Sequence, residues 1–290
     1  MTKQDMFSNR DIADYYDQTE VHYRRFWKLN EEFSIHYGIW EKGVRNLGQA
    51  LRHTSEVLAV HAGIKPSDFV LDAGCGVGGP AIYLASEYRC HVLGITLSSK
   101  QAQAAGEYAS RKNLGHLTKF EVADYKRTGY EPDRFDVIWA LESTGTATDK
   151  QAFLNEAYRI LKPGGRLVLA DYFKTTDLPS EKQPLLKSWL SLWAIHDLET
   201  LNRFETLLVI SGFTDVAVHD YTNEIIPTAR RMWLYSLFGA IGSVGYNMFH
   251  NTTRFAKHHY RSGFLQYKTL KKGLWEYKVI LAKKPVISTK

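Results

Sequence analysis

The stretch Val70-Leu-Asp-Ala-Gly-Cys-Gly-Val-Gly-Gly-Pro80 decides how this chain of 290 residues folds. An apolar run that begins at Phe69 ends in Asp72, a cluster of small residues follows, and a helical pattern begins after Pro80. This order predicts a strand, a tight turn and a helix. Glycines let the backbone turn sharply, and they let a ligand lie against the main chain where a Cβ would collide. The amides at the helix start favour polar or anionic ligand groups. The turn is therefore a candidate nucleotide site, although a tight turn without a ligand would show the same pattern.

Length and composition indicate a single large domain, or a domain with an elaborated lid. A hydrophobic content of 44% and an aromatic content of 13% are enough for a sizeable core. The two cysteines, Cys75 and Cys90, indicate no disulfide framework and a reducing compartment. The first ten residues have no apolar signal core. We therefore expect a cytoplasmic protein, with peripheral membrane contact as an alternative.

The charge of +6 is spread unevenly along the chain. Residues 251–290 contain ten Lys or Arg and one acid, Glu276, which gives this segment +9 and leaves −3 for the rest. Such a segment fits an anionic substrate, an anionic membrane surface or nucleic acid, and a solvated face is the plainer alternative. The sequence has no zinc-ligand spacing and no RNA-binding signature, so we expect no nucleic-acid partner.

Apolar strands alternate with helices through the first part of the chain. Five strands are predicted, at 69–73, 91–96, 118–122, 135–140 and 166–171. This alternation favours a parallel sheet covered on both faces, in which ligands lie beyond the carboxyl ends of the strands. Four polar residues stand at or just past those ends, and we expect them to converge on one crevice: Asp72, Thr96, Asp124 and Glu142.

The regular alternation of strands and helices ends after the fifth strand. Two further strands are predicted at 215–220 and 274–282, and the roughly fifty residues between them are too many for a hairpin loop. Within this insert, residues 232–249 carry no charge. A membrane span is rejected because glycines and serines dilute the run and the next strand must return to the same sheet. A lid or substrate-pocket wall is favoured over a core or oligomer helix and over interfacial membrane contact.

The predicted fold is an α/β, Rossmann-like seven-stranded sheet with helices on both faces. An N-terminal helical cap covers it, and a helical lid is inserted between the last two strands. The predicted divisions are a cap at 1–64, a core at 65–223, a lid at 224–272, and a final strand with a basic tail at 273–290.

These elements resemble the class I S-adenosylmethionine-dependent methyltransferases over roughly residues 65–175, and the last two strands complete that sheet. Within the class, Leu71–Pro80 and Gly94-Ile-Thr-Leu-Ser98 with Gln101 are similar to the branch acting on lipids and isoprenoids. That branch includes sterol and prenyl diphosphate C-methyltransferases, cyclopropane fatty acid synthases and tocopherol methyltransferases. The resemblance implies S-adenosyl-L-methionine as cofactor and S-adenosyl-L-homocysteine as product.

The resemblance also implies which residues contact the nucleoside. Thr96 and Leu97 stand where many relatives have a ribose-binding acid, so Thr96 and Gln101 are the expected ribose contacts. Asp124 would accept the adenine amino group, with the Ala123 amide nearby. Two alternatives stay open, because Gln101 also fits a capping box with Ser98 and Asp124 also fits a turn.

Further positions are implied at the methionine end of the cofactor. The backbone at Gly74 and Gly76 would face the methionine part, and Leu141 would lend its backbone near the amino-acid group. The N-terminal segments Tyr15-Tyr16-Asp17 and His36-Tyr37-Gly38 also resemble the branch. The residues implied to form a cap over the cofactor are Tyr16, Tyr37 and Gly38.

Methyl transfer is an in-line displacement that requires alignment and exclusion of water, and it needs no metal. An alkene acceptor would become a carbocation, so the site would have to stabilise positive charge and remove a proton. Glu142 is the first candidate for this work and His36 a weaker one, with a structural carboxylate and a packed histidine as alternatives. Glu142-Ser-Thr-Gly-Thr146 matches the sterol enzymes' Glu-Ala-Thr-Cys-His, so Thr146 replaces their histidine.

The sequence therefore predicts a methyltransferase acting on a lipophilic acceptor, with carbon of a sterol-like or isoprenoid molecule as the favoured target. A small-amine N-methyltransferase, a non-catalytic cofactor-binding regulatory subunit and, more weakly, a nicotinamide dehydrogenase are the alternatives. A homo-oligomer remains open. Several aromatic residues suit an apolar acceptor pocket, with core packing as the alternative: Trp189, Trp193, Trp233, Tyr235, Phe238, Tyr246 and Phe249.

Overall fold

The computed structural model describes residues 7–26, 33–176, 178–249 and 260–286, without the side chains of residues 16, 19–26 and 238–249. The helices are α1 Asn9–Phe26, α2 Leu47–Ala62, α3 Gly79–Glu87, α4 Ser99–Arg111, α5 Lys150–Ile160, α6 Gln183–Leu190, α7 Leu201–Ile210, α8 Ile226–Phe249 and α9 Tyr260–Lys271. The strands are β1 Phe69–Ala73, β2 His91–Thr96, β3 Thr118–Val122, β4 Phe135–Leu141, β5 Leu161–Lys174, β6 Thr214–Asp220 and β7 Trp275–Lys283.

All seven strands form one sheet in the order β3-β2-β1-β4-β5-β7-β6. The first five strands pair in parallel, and β7 runs antiparallel between β5 and β6. The chain winds outward from β1 to β3 and then returns to β4 on the other side of β1. Ligands of open α/β sheets bind at such a reversal of strand order, so the crevice beyond β1 and β4 is where a site is expected. The predicted Rossmann-like seven-stranded fold is confirmed.

The central strands are apolar on both faces because each face is covered by helices. In β4, Val137 and Trp139 pack into one core together with α2 and α3. Ile138 and Ala140 point to the opposite face, into a second core that contains residues of α5 and α7. This double burial explains why the strands read as continuous apolar runs in the sequence.

The insert between β6 and β7 consists of α8 and α9, which pack against each other. The Gln266 side chain donates through Nε2 to the Ala229 carbonyl at 2.7 Å. A Cβ on Gly263 would come within 3.0 Å of the Met232 carbonyl, so the two helices approach closely there. The predicted helical insert is thus present. Among the described residues, no helix is long and apolar enough to cross a membrane.

The fifth strand is longer than the sequence-based prediction of 166–171. It begins at Leu161, because Gly164 and Gly165 exchange backbone hydrogen bonds with Lys284 and so continue the sheet, and it ends at Lys174. The helix α6 ends at Leu190, and a short 3-10 turn, Ser191–Trp193, leads to Ala194 at φ +54°.

Candidate active site

A cleft of about 800 Å³, counting its open mouth, lies beyond the carboxyl ends of β1, β2 and β4. Loop 33–36 and residues Ile12 and Ala13 of α1 close its outer side. Nine of the residues predicted for the site line this cleft: His36, Gly74, Gly76, Thr96, Leu97, Gln101, Ala123, Leu141 and Glu142. The sheet therefore brings together residues that lie far apart in the sequence.

The glycine turn is locked to the end of β2. The amides of Gly74 and Cys75 both donate to the Ile95 carbonyl, each at 2.9 Å. Gly74 has φ +93°, and a Cβ there would lie 2.4 Å from the Ser143 Cβ, so only glycine fits. At Gly76, φ is +53° and a Cβ would have no protein atom within 4 Å. The backbone at Gly76 thus borders open space in the cleft.

Thr96 and Gln101 meet at the tip of β2. The Thr96 hydroxyl donates to Gln101 Oε1 at 2.7 Å. The backbone N–H of Gln101 donates to Ser98 Oγ at 3.2 Å, which is the N-cap bond of α4. Gln101 therefore serves the capping pattern with its backbone while its side chain lines the cleft.

Asp124 stands next to the lining residue Ala123, and its carboxylate is held by neighbours. Oδ1 accepts from the Lys126 amide at 2.9 Å, and Oδ2 accepts from Asn9 Nδ2 at 2.8 Å. On the same helix as Asn9, Asp17 Oδ1 accepts from the Ser98 hydroxyl at 2.6 Å. These two bonds fasten α1 to the strand tips over the cleft.

Tyr37 and Gly38 lie behind the cleft lining and do not line the cleft themselves. The Tyr37 hydroxyl donates to Gln266 Oε1 at 2.6 Å, and the Gly38 amide donates to Thr228 Oγ1 at 3.2 Å. They hold loop 33–40 against α8 and α9, so any effect on the cofactor would act through that loop. The Tyr16 side chain lies outside the described residues, and its predicted contact stays a prediction.

Glu142 is the most constrained residue of the cleft. Its φ is +50°, a left-handed conformation that is costly for a side chain with a Cβ and is found most often at functional sites. Its carboxylate accepts from the Tyr37 amide at 2.6 Å, from the Tyr277 hydroxyl at 2.8 Å, and from the Tyr172 hydroxyl. Burial raises the pKa of Glu142 to about 8 against the opposing effect of these donors.

His36 is buried beside Glu142's partner Tyr37. Its Nδ1 lies 2.9 Å from the Tyr37 carbonyl, and since a carbonyl only accepts, we assign the proton to Nδ1. Nε2 then carries a lone pair, and it is buried without a hydrogen-bond partner in the part of the chain that the structure describes. Burial lowers the pKa of His36 to about 4, so the ring is neutral at physiological pH.

Asp72 was predicted from the sequence to lie in the crevice, and it does line the cleft, although sequence reasoning assigned it no chemical role. It is 1% exposed, lines the cleft, and has an Oδ2 atom without a hydrogen-bond partner among the described residues. Burial raises its pKa to about 7. An orphaned carboxylate oxygen in a cleft suits a cationic ligand group, and its position directly before the glycine turn was the available signal.

Tyr125 and Ser143 are two further lining residues that sequence reasoning missed. The Tyr125 hydroxyl donates to the Ser143 carbonyl at 2.9 Å, which ties the loop after β3 to the loop after β4. No local pattern marks this pair, since it forms only once the strands stand side by side.

Of the aromatic residues predicted for an acceptor pocket, the four whose side chains the structure describes do not line the cleft. Trp189 stacks on Trp275 with ring centroids 4.8 Å apart, and Trp193 packs against Trp189 at 5.1 Å. This aromatic cluster also contains Tyr172, so it lies behind Glu142 in the core. Trp233 and Tyr235 lie on α8, while the side chains of Phe238, Tyr246 and Phe249 lie outside the described ones. No metal-binding group of three His, Cys, Asp or Glu occurs among the residues described.

Comparison with known sequences agrees with this geometry. Residues 71–169 match a family model described as a methyltransferase domain. Methyltransferase GfsG of Streptomyces halstedii is 31% identical over 226 residues, which cover 77% of this chain and 80% of that protein. The (+)-O-methylkolavelool synthase of Herpetosiphon aurantiacus is 29% identical and covers 75% of each chain. The sterol 24-C-methyltransferase of Kluyveromyces lactis is 32% identical over 57% of this chain and 45% of that protein.

Solved structures share the fold along nearly the whole chain. The [4+2]-cyclase SpnF superposes with a TM-score of 0.81 at 21% identity and covers 97% of both chains. Geranyl diphosphate C-methyltransferase from Streptomyces coelicolor A3(2) superposes with a TM-score of 0.75 at 19% identity, covering 95% of this chain and 97% of that one. The glycine turn, the strand-tip residues and the extended match to methyltransferase GfsG lead to one conclusion: this chain is an enzyme that belongs to the class I S-adenosylmethionine-dependent methyltransferases.

Proposed function

We propose that the enzyme transfers the methyl group of S-adenosylmethionine to carbon of a lipophilic, sterol-like or isoprenoid acceptor. One observation carries the proposal, namely the Glu142 carboxylate held at the cleft by the hydroxyls of Tyr172 and Tyr277. A carboxylate backed by aromatic hydroxyls is suited to stabilise positive charge that develops on an acceptor carbon.

The residues present fit the cofactor. The orphaned Asp72 Oδ2 suits its ammonium group, Thr96 and Gln101 suit its ribose hydroxyls, and Ala123 with Asp124 suits its adenine. When bound, the cofactor supplies an electrophilic methyl carbon on a sulfonium. The chain's own part is to hold that group, align the acceptor and exclude water, which is why Ile12 and loop 33–36 close the outer side.

His36 supplies a proton acceptor in place of the histidine that is replaced at Thr146. Methylation of one alkene carbon leaves a positive charge on the other carbon of the double bond. Loss of a proton from a carbon next to this cation then forms a double bond again. The His36 Nε2 lone pair is buried and without a partner among the described residues. Burial makes it a weak base, but a proton next to a carbocation is acidic enough for a weak base to remove. A positive charge in the cleft lowers the pKa of Glu142 from about 8, and the ionised carboxylate then stabilises the cation while the proton is removed.

A transfer assay with an isotopically labelled methyl donor tests the acceptor class. We would offer isoprenoid alkenes, sterols, hydroxylated terpenoids and small amines, and locate the label by mass spectrometry and NMR. The proposal expects a new carbon–methyl bond on an isoprenoid or sterol. Label on the nitrogen of a small amine would contradict it. Donor binding without transfer to any compound would instead favour a regulatory subunit.

Transfer to a hydroxyl group is the second candidate, and the His36 Nε2 atom favours it as well. A neutral imidazole can remove the proton of an alcohol as its oxygen attacks the methyl group. The (+)-O-methylkolavelool synthase of Herpetosiphon aurantiacus matches three quarters of this chain. In this case the labelled methyl group would be found on oxygen.

The variant His36→Gln is expected to lower the rate of transfer roughly a hundredfold while cofactor affinity stays near wild type, because the proton acceptor is lost. The matched control is His196→Gln, since His196 is exposed and lies outside the cleft lining. Steady-state rates and calorimetric cofactor binding would be compared for the two variants. An unchanged rate in His36→Gln would remove His36 from the reaction.

Cofactor binding is expected to release a proton from Asp72 and to weaken as the pH falls below about 7, where the buried carboxyl is protonated. An ammonium group beside Asp72 favours the ionised form and so lowers its pKa in the complex. The folding stability of the free protein depends on pH in the opposite sense. The raised pKa of Asp72 contributes stability that is present below a pH of about 4 and is lost as the pH rises through 7.

Calorimetry in buffers of different ionisation enthalpy measures this proton release directly. Asp72→Asn should bind the cofactor weakly at every pH and release no proton. If the wild-type binding heat does not depend on the buffer at pH 6 to 7, Asp72 does not pair with the ammonium group.

A further inference from the structure

The helical hairpin formed by α8 and α9 carries only positive charge. Between Glu224 and Glu276 the sequence has no Asp or Glu and eight Lys or Arg. Five of these are exposed residues that form no ion pair with the described part of the chain: Arg230, Arg261, Lys268, Lys271 and Lys272. The hairpin is therefore an uncompensated basic surface.

The terminal strand differs, although it is equally rich in lysine. Lys278 pairs with Asp220 at 2.8 Å, Lys283 with Asp215 at 3.1 Å, and Lys284 with Asp133 at 2.7 Å. These ion pairs neutralise the strand. Among the described residues that follow β6, the basic residues without an acidic partner therefore lie on the hairpin and not on β7.

Large apolar side chains are exposed on the same hairpin. Leu234 is 40% and Leu237 is 41% exposed, and the helical spacing places both on one face of α8 with Arg230. Tyr235 is 46% exposed, and the Arg231 guanidinium lies 5.1 Å from its ring centroid. From Met232 to its end at Phe249, α8 contains no charged residue. Exposed leucines next to exposed basic residues offer a membrane interface both apolar contact and positive charge.

Charge complementarity decides between the candidate occupants of this surface. A second copy of the chain would meet it with the same positive hairpin across a two-fold axis, and the like charges would repel. An anionic lipid surface attracts the basic residues and accepts the leucines. We propose that the hairpin docks the enzyme onto an anionic lipid surface, with Leu234 and Leu237 inserted among the lipids.

The docking surface is mechanically joined to the cleft. Thr228 Oγ1 accepts from Trp40 Nε1 at 2.8 Å, and Gln266 accepts from the Tyr37 hydroxyl. Both partners belong to loop 33–40, the first residues of which line the cleft. Docking would therefore act on loop 33–40, and through it on the cleft wall, whichever acceptor the enzyme uses.

Cosedimentation with vesicles tests the proposal. We expect the protein to bind vesicles that contain phosphatidylglycerol together with phosphatidylcholine, and not to bind vesicles of phosphatidylcholine alone. Bound protein should dissociate as the salt concentration is raised. Leu234→Glu with Leu237→Glu should weaken binding roughly tenfold or more. Lys268→Glu and Lys271→Glu should each weaken it about fivefold.

Matched controls come from exposed residues on other elements. Ile210→Glu is the control for the leucines, since Ile210 is 67% exposed on α7, and Lys112→Glu is the control for the lysines. Neither control should change vesicle binding, and circular dichroism and cofactor affinity should match wild type in every variant. Absence of binding to anionic vesicles at low salt would overturn the proposal. Binding that persists in the double leucine variant would also overturn it, as would concentration-dependent dimerisation lost in that variant.

Discussion

Replacing Gly76 with alanine is expected to weaken S-adenosylmethionine binding roughly a hundredfold while the protein remains folded. The new methyl group would meet no protein atom within 4 Å, so it would project into the cleft space that the cofactor must fill. Overpacking of this kind commonly costs 1–3 kcal/mol, and a rigid turn tied to Ile95 gives little room for relief. Calorimetric titration with the cofactor measures the loss.

The matched control for this substitution is Gly63→Ala. Gly63 has φ +58°, close to the φ of +53° at Gly76, and a Cβ there also meets nothing within 4 Å. It caps the end of α2, outside the cleft lining. Both variants should lose about 1 kcal/mol of unfolding free energy from the left-handed backbone. Equal cofactor affinity in the two variants would show that the turn does not contact the cofactor.

Removal of the Glu142 side chain is expected to reduce both stability and catalysis, and two substitutions separate these effects. Glu142→Ala leaves the Tyr172 hydroxyl, the Tyr277 hydroxyl and the Tyr37 amide without their acceptor. Each unsatisfied buried donor costs about 1–3 kcal/mol, and the left-handed strain is unchanged because alanine also has a Cβ. We therefore expect the unfolding free energy to fall by about 3 kcal/mol or more, as measured by urea denaturation.

Glu142→Gln keeps the shape of the side chain and one acceptor oxygen but cannot ionise, so it supplies no negative charge when a cation enters the cleft. If this charge stabilises a cationic acceptor, kcat should fall roughly a hundredfold or more with little change in cofactor affinity. Asp68→Asn is the control, because Asp68 is a buried carboxylate beside Arg166 at the opposite end of β1. The control should change stability and leave kcat intact. A Glu142→Gln enzyme with normal kcat would show that Glu142 serves only to hold the loop.

The strands were predictable because their signal is local. The predictions of 69–73, 91–96 and 118–122 coincide with β1, β2 and β3. Apolar runs decide the first two, whereas polar and apolar residues alternate in β3. The pairing of Thr96 with Gln101 was predicted from the family resemblance, and both residues line the cleft. The start of β5 was wrong because the pairing of Gly164 and Gly165 with Lys284 is a long-range contact, absent from any local pattern.

The core of the site depends on similar long-range contacts. The tyrosines that hold Glu142 come from β5 and β7, so they lie 30 and 135 residues from it in sequence. Only the antiparallel entry of β7 beside β5 brings them together. Likewise, Asn9 reaches Asp124 across 115 residues. The residues at the ends of strands can be predicted from the sequence. Their hydrogen-bond partners on other strands and helices are known only once the sheet has folded.

The hydrogen bonds that anchor α1 are expected to affect the rate of the catalytic cycle. Asn9 and Asp17 anchor this helix to Asp124 and Ser98, and Ile12 and Ala13 form part of the cleft wall. We expect these two anchors to open when a nucleoside enters or leaves, so that a helix movement would control the exchange of spent donor for fresh donor. Enzymes gated in this way are commonly limited by product departure, and turnover here should follow the opening rate of α1 more closely than the rate of bond formation.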